Sequence, residues 1–200
     1  QIAGDKCTGQ EWLDMHREWH LLGGKSNATM LYGHIENYGH RIDHMDKLRQ
    51  LQDETGGFQT FIPLKFLNEN NEMSHIKQSS VLDDMRNYAV SRIYLDNFDH
   101  LKAYWPMLGR DMAQMSLSFG VDDLDGTIDD TTKIYSMAGS EEQNPNMNTH
   151  DLVVMIDAVH RQAVERDTLY NVVKSYTKEE LAEEQTQYDY YSLPVVSTTV

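Results

Sequence analysis

Short apolar segments alternate with longer amphipathic segments from residue 11 to residue 125, and this alternation restricts the fold more than any other feature. Apolar residues spaced three and four apart indicate helices, whereas short apolar or alternating runs indicate strands. Four strands are predicted, at residues 26–32, 58–66, 101–105 and 121–125. Because strands that are joined through helices run parallel, we predict an α/β fold with about four parallel strands and flanking helices. Four strands are half of those in a TIM-type (β/α)8 barrel.

The predicted helices have recognisable ends. Thr8 and Glu11 have the spacing of a capping box, and Gly23-Gly24 is expected to end the helix that follows them. Further helices are predicted at about residues 40–55, 80–96, 107–118 and 150–162. In the first helix, His16 and His20 are expected at the surface or its boundary, and the side chains predicted to face the core are Trp12, Met15, Trp19 and Leu22.

Polar side chains follow each predicted strand. The strand ends carry, in chain order, Tyr32, Gly33, His34 and Glu36, then Lys65, then Tyr104 and Trp105, then Asp122, Asp123 and Asp125. In α/β barrels the catalytic residues lie at the carboxyl ends of the strands, so these residues are candidates for a site. An acidic turn at 122–127 and a glycine turn at 33–36 would use the same residue types and remain alternatives.

Charge restricts the partners of this chain. Its 17 lysines and arginines are outnumbered by 32 aspartates and glutamates, which gives a formal net charge of -15. Nucleic acid and anionic membrane surfaces are therefore not expected as partners, because both require an excess of cations. The sequence contains no apolar run of membrane-spanning length and no signal-peptide pattern, so we expect a cytoplasmic location.

Metal-binding patterns are missing from the sequence. A single cysteine, Cys7, excludes a disulfide framework and any cluster that needs three or four thiolates from this chain. His40 and His44 lie four apart, but Arg41 stands where the zinc-protease motif requires glutamate. We therefore predict no metal site within this sequence.

The C-terminal third is less regular than the rest. Residues 165–171 are expected to be extended, and beyond Lys174 the chain becomes acidic and polar. We accordingly predict three regions, namely a half-barrel at 1–130, an extension with a helix at 131–174 and a mobile acidic tail at 175–200.

Several segments, taken together and in order, resemble the aminofutalosine synthase family. These are NATMLYGHIE at 27–36, the helix at 40–58, FIPLKF at 61–66, AVSRIYLDN at 89–97, KAYWPMLG at 102–109, SFGVDDLDGT at 118–127 and ERDTLYN at 165–171. This family comprises radical S-adenosylmethionine enzymes of the futalosine route to menaquinone. Related enzymes include cyclic dehypoxanthine futalosine synthase.

The resemblance implies a full-length (β/α) barrel whose first half binds an iron-sulfur cluster through a CxxxCxxC motif. That motif is missing here, so the chain corresponds to the C-terminal half and is expected to be inactive without the cluster-binding N-terminal half. The full-length enzyme would use S-adenosylmethionine to generate a deoxyadenosyl radical that adds to 3-[(1-carboxyvinyl)oxy]benzoate.

The resemblance also implies roles for the candidate residues. The stretch from Thr29 through Tyr32, Gly33 and His34 to Glu36 is similar to the fifth-strand segment that lies against the cofactor's adenosyl group. Asp122, Asp123 and Asp125 would serve as catalytic carboxylates at the eighth strand. Lys65 and Arg92 are candidates for binding the carboxylates of the small-molecule substrate, and Tyr104 is a further candidate for substrate binding.

Two other interpretations remain open. A half-barrel exposes two sheet edges, so the chain could be a self-associating binding or assembly module, with a homodimer formed through those edges. It could also be half of a related enzyme such as cyclic dehypoxanthine futalosine synthase.

Overall fold

The computed structural model describes residues 4–126, 134–140 and 146–180, and the chain divides into two units, Gln1–Asn148 and Thr149–Val200. The helices of the first unit are α1 (Gly9–Leu21), α2 (Tyr38–Thr55), α3 (Val81–Tyr94), α4 (Trp105–Leu108), α5 (Arg110–Ser116) and α6 (Ile134–Met137). Its strands are β1 (Ser26–Tyr32), β2 (Phe58–Lys65), β3 (His100–Ala103) and β4 (Asp123–Leu124). The second unit contains α7 (Thr149–Asp157), β5 (Val164–Arg166) and β6 (Val172–Ser175).

The first unit is built on one sheet with strand order β1-β2-β3-β4, and every neighbouring pair is parallel. The predicted α/β class and the four parallel strands with flanking helices are confirmed. Such a sheet is half of an eight-stranded barrel. No helix of the described ranges is both long and apolar enough to cross a membrane.

Local sequence signals account for most of the helix ends. Thr8 and Glu11 form the predicted capping box, and Ser80 caps α3 by accepting a hydrogen bond from the amide of Asp83. The helix predicted at 107–118 is instead broken into α4, α5 and a short 3₁₀ turn at Leu117–Phe119. The break falls at Gly109, whose φ of 89° is incompatible with a continuous helix.

The stretch predicted to be extended at 165–171 is partly a turn. Strands β5 and β6 pair in the antiparallel direction, and the Asp167 carboxylate between them accepts hydrogen bonds from the amides of Leu169 and Asn171. An aspartate that binds nearby amides in this way stabilises a turn rather than a continuous strand.

Alternation along the strands gives the sheet two chemically different faces. One face is covered by helices α2 and α3, and we call it the helix-covered face. Its buried residues are Ala28, Met30 and Tyr32 of β1 and Phe61 and Pro63 of β2. The residues between them point the other way and form what we call the open face, which comprises Thr29, Leu31, Thr60, Ile62, Leu64, Lys102 and Asp123.

The predicted core face of α1 was wrong at three of its four positions, the exception being the half-buried Trp12, which stacks on Phe58. Met15, Trp19 and Leu22 are 59%, 53% and 82% exposed, whereas His20 is only 7% exposed. The rings of His16 and His20 pack against Phe58, with centroid distances of 5.3 and 4.7 Å. Hydroxyl groups contact three of their ring nitrogens, since Ser26 Oγ lies beside His16 Nδ1 and His20 Nε2, and Thr55 Oγ1 lies 2.8 Å from His20 Nδ1. Hydrogen bonds to hydroxyls let histidines occupy a site that pattern reasoning reserves for apolar residues.

Gly57 makes room for this arrangement. A Cβ at this position would lie 2.0 Å from Cγ of His20, so no larger residue fits without displacing the ring. The glycine is therefore required by close packing at the start of β2.

The predicted region boundaries stay predictions. The boundary near residue 130 lies within 127–133, outside the described residues, and so do residues 181–200 of the predicted tail.

We expect the stability of the chain to fall on mild acidification because of the buried histidines. Burial lowers the pKa of His16 and, together with the charges of His16 and Lys25, that of His20. The unfolded state therefore binds protons at a higher pH than the native state, and stability decreases as the pH drops through the ordinary histidine pKa. Each proton so gained costs up to about 1.4 kcal/mol per pH unit.

Urea unfolding at about pH 7.5 and about pH 5.5 measures this effect. The variant His20→Gln should lose part of the pH dependence, while His75→Gln, at an exposed histidine, should retain it. Equal pH dependence in the two variants would contradict the assignment.

Candidate functional site

The four parallel strands all end on the same side of the sheet, and the loops that follow them begin there. We call this side, formed by the C-terminal ends of the strands, the carboxyl edge. The loops begin at Gly33, Phe66, Tyr104 and Asp125. Most of the residues proposed from the sequence lie at the end of a strand or in one of these loops, and the exceptions are Thr29, Arg92, Trp105, Asp122 and Asp123. The carboxyl edge is therefore where a ligand would meet several chain segments at once.

The loop after β1 is held by Glu36. Its carboxylate accepts hydrogen bonds from the amides of Gly33 and His34 at 2.6 and 2.8 Å, and it forms an ion pair with Arg41 at 2.6 Å. The guanidinium of Arg41 also lies over the rings of Tyr32 and Tyr38, 5.1 and 5.2 Å from their centroids. A carboxylate that binds consecutive amides fixes the backbone, so Glu36 positions this loop.

These contacts also determine the protonation of Glu36. Burial by itself raises the pKa of the carboxyl group, but the two amides and Arg41 outweigh it and lower the pKa below its ordinary value. The side chain is therefore a carboxylate at neutral pH.

Gly33 is required for the shape of the same loop. Its φ of 88° lies in the left-handed region that favours glycine, and an added Cβ would lie 3.3 Å from Ser79 Oγ. The space left by the missing side chain is thus used by the loop that precedes α3.

Lys65 points into the helix-covered face. Its Nζ lies 2.8 Å from Oδ2 of Asp84, a fully buried residue of α3, and Ser79 Oγ donates to the other oxygen of that carboxylate at 2.5 Å. This buried ion pair joins the end of β2 to α3. Around it, burial and the nearby Asp84 raise the pKa of Tyr88, and burial, Tyr88 and Asp84 raise that of Tyr32, so both phenols stay protonated.

A second ionic cluster lies on the open face, formed by Lys102, Asp123 and Asp125. Lys102 Nζ is 3.0 Å from Asp125 Oδ1 and 3.5 Å from Asp123 Oδ2. The exposed fraction of the side chain is 10% for Lys102, 8% for Asp123 and 21% for Asp125. Lys102 and Asp123 are register partners in β3 and β4, which places them side by side. The exit of β4 is fixed further by Trp105, whose Nε1 donates to the carbonyls of Asp125 and Gly126.

Arg92 and Asp122 lie at the opposite end of the sheet, where the strands begin, which we call the amino edge. Asp122 precedes β4, and its carboxylate accepts from Arg92 at 2.7 Å, from the amide of Leu101 at 2.7 Å and contacts His100 Nδ1 at 2.9 Å. Arg92 also donates to the carbonyls of Gly120 and Phe98. Contacts at the amino ends of barrel strands serve stability, so this cluster has the features of a structural clamp.

The structure thus separates the residues that the sequence grouped as one site. Tyr32 and Lys65 face the helices, Glu36 holds backbone amides, and Arg92 and Asp122 lie at the amino edge. Thr29, Asp123 and Asp125 lie on the open face or at its end, and Tyr104 makes an edge-to-face contact with Tyr135 at 5.3 Å. The assigned cofactor, catalytic and substrate roles stay predictions.

Lys102 and Arg41 were missed as candidates by sequence reasoning. Lys102 stands two residues before Tyr104 in the third strand, so period-two alternation could have placed the two side chains on one face. Arg41 lies five residues after Glu36, which itself precedes α2, so no i,i+3 or i,i+4 spacing marks their ion pair in the sequence.

The open face offers two kinds of surface to a ligand. Thr29 and Leu31 are exposed and Ile62 and Leu64 are half-buried, which gives a largely apolar wall along β1 and β2. Along β3 and β4 the wall is ionic, since it carries Lys102 and the two aspartates. This division suits a ligand with an apolar or planar part and a polar part.

An iron-sulfur cluster does not fit the residues of this chain. Cys7 is its only cysteine and is exposed, and in the described ranges no three histidine, cysteine, aspartate or glutamate residues converge on a metal position. Cluster ligation needs three or four thiolates, so it would have to come from outside this sequence.

Comparison with known proteins identifies relatives of the chain. A family model described as the CofH/MqnC C-terminal region matches residues 55–178. Aminodeoxyfutalosine synthase of Thermus thermophilus is 47% identical over 184 residues, which are 90% of this chain and 49% of the relative. The enzyme of the same name from Streptomyces coelicolor is 36% identical over 88% of this chain and 48% of the relative.

A third relative carries a different name. The 5-amino-6-(D-ribitylamino)uracil--L-tyrosine 4-hydroxyphenyl transferase of Methanococcoides burtonii is 36% identical over 86% of this chain and 50% of the relative. The chain therefore spans about half the length of the relatives it matches.

We expect Glu36→Gln to loosen the loop after β1. The amide cannot form the ion pair with Arg41, so the free energy of unfolding should fall by about 1–3 kcal/mol, and amide exchange at Gly33 and His34 should accelerate. Hydrogen exchange and urea unfolding provide the measurements. Glu54→Gln is the control, because its ion pair with Arg17 is more exposed, and loss of an exposed pair changes stability by less than about 1 kcal/mol. An unchanged exchange rate at Gly33 would contradict the role of Glu36.

We expect Lys102→Met to destabilise the open face. The two aspartates would lose their shared cation, and the free energy of unfolding should drop by about 2–4 kcal/mol. Lys102→Arg should recover much of that loss because it keeps the charge. Lys47→Met, which removes an exposed ion pair with Asp43, is the control and should cost less than about 1 kcal/mol. If both methionine variants unfold alike, the cluster is not a stabilising one.

Proposed function

Because this chain belongs to the CofH/MqnC C-terminal region family, we propose that it forms the C-terminal half of a radical S-adenosylmethionine barrel enzyme. The 47% identity to aminodeoxyfutalosine synthase of Thermus thermophilus is the observation that supports this proposal most strongly. The proposed reaction belongs to menaquinone biosynthesis by the futalosine pathway. In the proposed reaction the 5′-deoxyadenosyl radical from S-adenosylmethionine, which leaves methionine behind, adds to the enol ether of 3-[(1-carboxyvinyl)oxy]benzoate. Rearrangement and loss of the carboxylate as bicarbonate then give aminofutalosine.

The cofactors of this proposal are S-adenosylmethionine and an iron-sulfur cluster. When bound, they supply the deoxyadenosyl radical. The cluster belongs to an N-terminal half that this chain would require, because a single cysteine cannot hold it. Alone, the chain is expected to be inactive.

The role of the chain's own residues is to form half of the wall around the reacting groups. The apolar strip of Thr29, Leu31, Ile62 and Leu64 is suited to planar groups and to excluding water. The backbone of Gly33 and His34, which Glu36 holds in place, is suited to contact with the adenosyl part of the cofactor. Thr29 lies on β1, the strand that leads into this loop, so its exposed side chain would extend the surface in contact with the adenosyl group.

The charged half of the open face suits the polar part of the substrate. Lys102 provides a cation on this face, and Asp123 and Asp125 orient its ammonium group. Lys65 faces the helices, where it is paired with Asp84, and Arg92 lies beside Asp122 at the end where the strands begin. Lys102 also has carboxylate partners, but it lies on the open face. We therefore rank Lys102 above Lys65 and Arg92 as the substrate-facing cation. Asp123 and Asp125 rank above Asp122 as catalytic carboxylates for the same geometric reason.

The proposed partner is the N-terminal half, in the same chain or as a separate one. Strand β1 ends the sheet at an open edge, and α1 exposes Trp19, Leu21 and Leu22. Apolar side chains at this level of exposure are common at interfaces that a second element covers. The chain would then act in the cytoplasm on a small molecule.

Reconstitution tests the proposed function. The chain is mixed with the N-terminal half of the Thermus relative carrying a rebuilt cluster, then supplied with reductant, S-adenosylmethionine and the enol-ether benzoate. We expect aminofutalosine and deoxyadenosine by mass spectrometry, and neither product from this chain alone. Lys102→Met should raise KM for the substrate more than Lys65→Met does.

Other outcomes would change the assignment. Formation of deoxyadenosine without aminofutalosine would indicate that the substrate is that of a related enzyme, such as cyclic dehypoxanthine futalosine synthase. Two folded halves that bind and cleave nothing, together with a stable homodimer of this chain, would favour an assembly module instead. That alternative is supported by the same open edge of β1.

A further inference from the structure

The outer edge of β1 exposes the backbone groups of every second residue. In a parallel pair the amide and carbonyl of one residue point to the same side, and those of the next residue point to the other. Ser26 donates to Gly57 and Tyr32 accepts from Phe66, so the even-numbered residues face β2. The backbone groups of Asn27, Thr29 and Leu31 therefore face outward, because β1 is the last strand of the sheet.

Two histidines bind the outward carbonyls. His44 Nε2 of α2 lies 3.1 Å from the carbonyl oxygen of Thr29, and His34 Nε2 lies 3.2 Å from that of Leu31. A carbonyl only accepts, so both nitrogens must carry a hydrogen. The amides of Thr29 and Leu31 face outward together with these carbonyls.

The two rings block the positions where another strand would pair. A strand added in parallel to β1 would donate its amides to these same carbonyls of Thr29 and Leu31. Proteins protect exposed strand edges with polar side chains because a bare edge pairs with other chains. Here the protecting side chains come from α2 and from the loop after β1, and not from the strand itself.

We propose that His34 and His44 are removable caps on the edge of β1, and that the element which displaces them is a strand of the N-terminal half. This inference rests on the proposed function for the identity of that half. The chain spans about half the length of its relatives, and in the Thermus relative the unmatched part is about as long as the matched part. The sheet is parallel throughout its four strands, so a further strand would continue the same pattern.

The caps have two consequences. In the isolated chain they reduce edge-to-edge pairing with a second copy. During assembly with the N-terminal half they compete with the incoming strand, so the measured affinity is lower than that of an uncapped edge. Removing both caps should strengthen each association about tenfold, the effect expected from one or two net hydrogen bonds.

The test compares four forms of the chain, namely wild type, the double variant His34→Ala/His44→Ala, His44→Gln and His75→Ala. Glutamine retains an N–H donor and should stay close to wild type, while His75 is exposed and contacts no strand edge. Sedimentation velocity measures self-association, and titration with the N-terminal half of the Thermus relative measures assembly. Circular dichroism verifies that each form is folded.

We expect the double variant to self-associate at lower concentration and to bind the N-terminal half more tightly than the other three forms. If wild type binds the N-terminal half and the double variant binds it no more tightly, the role of His34 and His44 as caps is contradicted, while the proposed function stands. If wild type does not bind the N-terminal half at all, that partner is overturned together with the proposed function.

Discussion

The parallel sheet of this chain depends on the two-residue alternation of side chains along each strand, and this constraint decides which polar groups can meet a ligand. Lys65 falls at an inward position of β2, so its ammonium group binds the buried Asp84. Lys102 falls at an open-face position of β3, so its ammonium group lies beside Asp123 and Asp125. Two lysines of similar appearance in the sequence therefore have different environments, because a shift of one residue reverses the face.

Charge compensation is the second requirement, and it is demanding in a chain with a net charge of -15. The poorly exposed carboxylates near the carboxyl edge each have a cation beside them, namely Arg41 for Glu36, Lys65 for Asp84, and Lys102 for Asp123 and Asp125. A buried carboxylate without such a partner would be strongly destabilising. These pairs also link elements that are distant in sequence, so the same contacts that neutralise charge position the loops of the candidate site.

The incomplete sheet explains several surface features together. An eight-stranded barrel has no free edges, whereas four strands leave the outer side of β1 without a neighbouring strand. Two histidines contact the carbonyls of Thr29 and Leu31 on that side, and α1 exposes apolar side chains. The chain with these features spans about half the length of its relatives. Both features are expected of a surface that a second segment covers.

The sequence by itself determined the fold class, the four strands and most helix ends, because these follow from local signals such as periodicity, the Thr8–Glu11 box and glycine stops. It also located the loops of the candidate site. Only the tertiary structure decided which side chains meet there. The face of α1 that packs, the partner of Lys65 and the place of Arg92 and Asp122 at the amino edge depend on contacts between residues far apart in the chain. Such contacts are set by strand register and by helix packing, and neither leaves a mark on local sequence pattern.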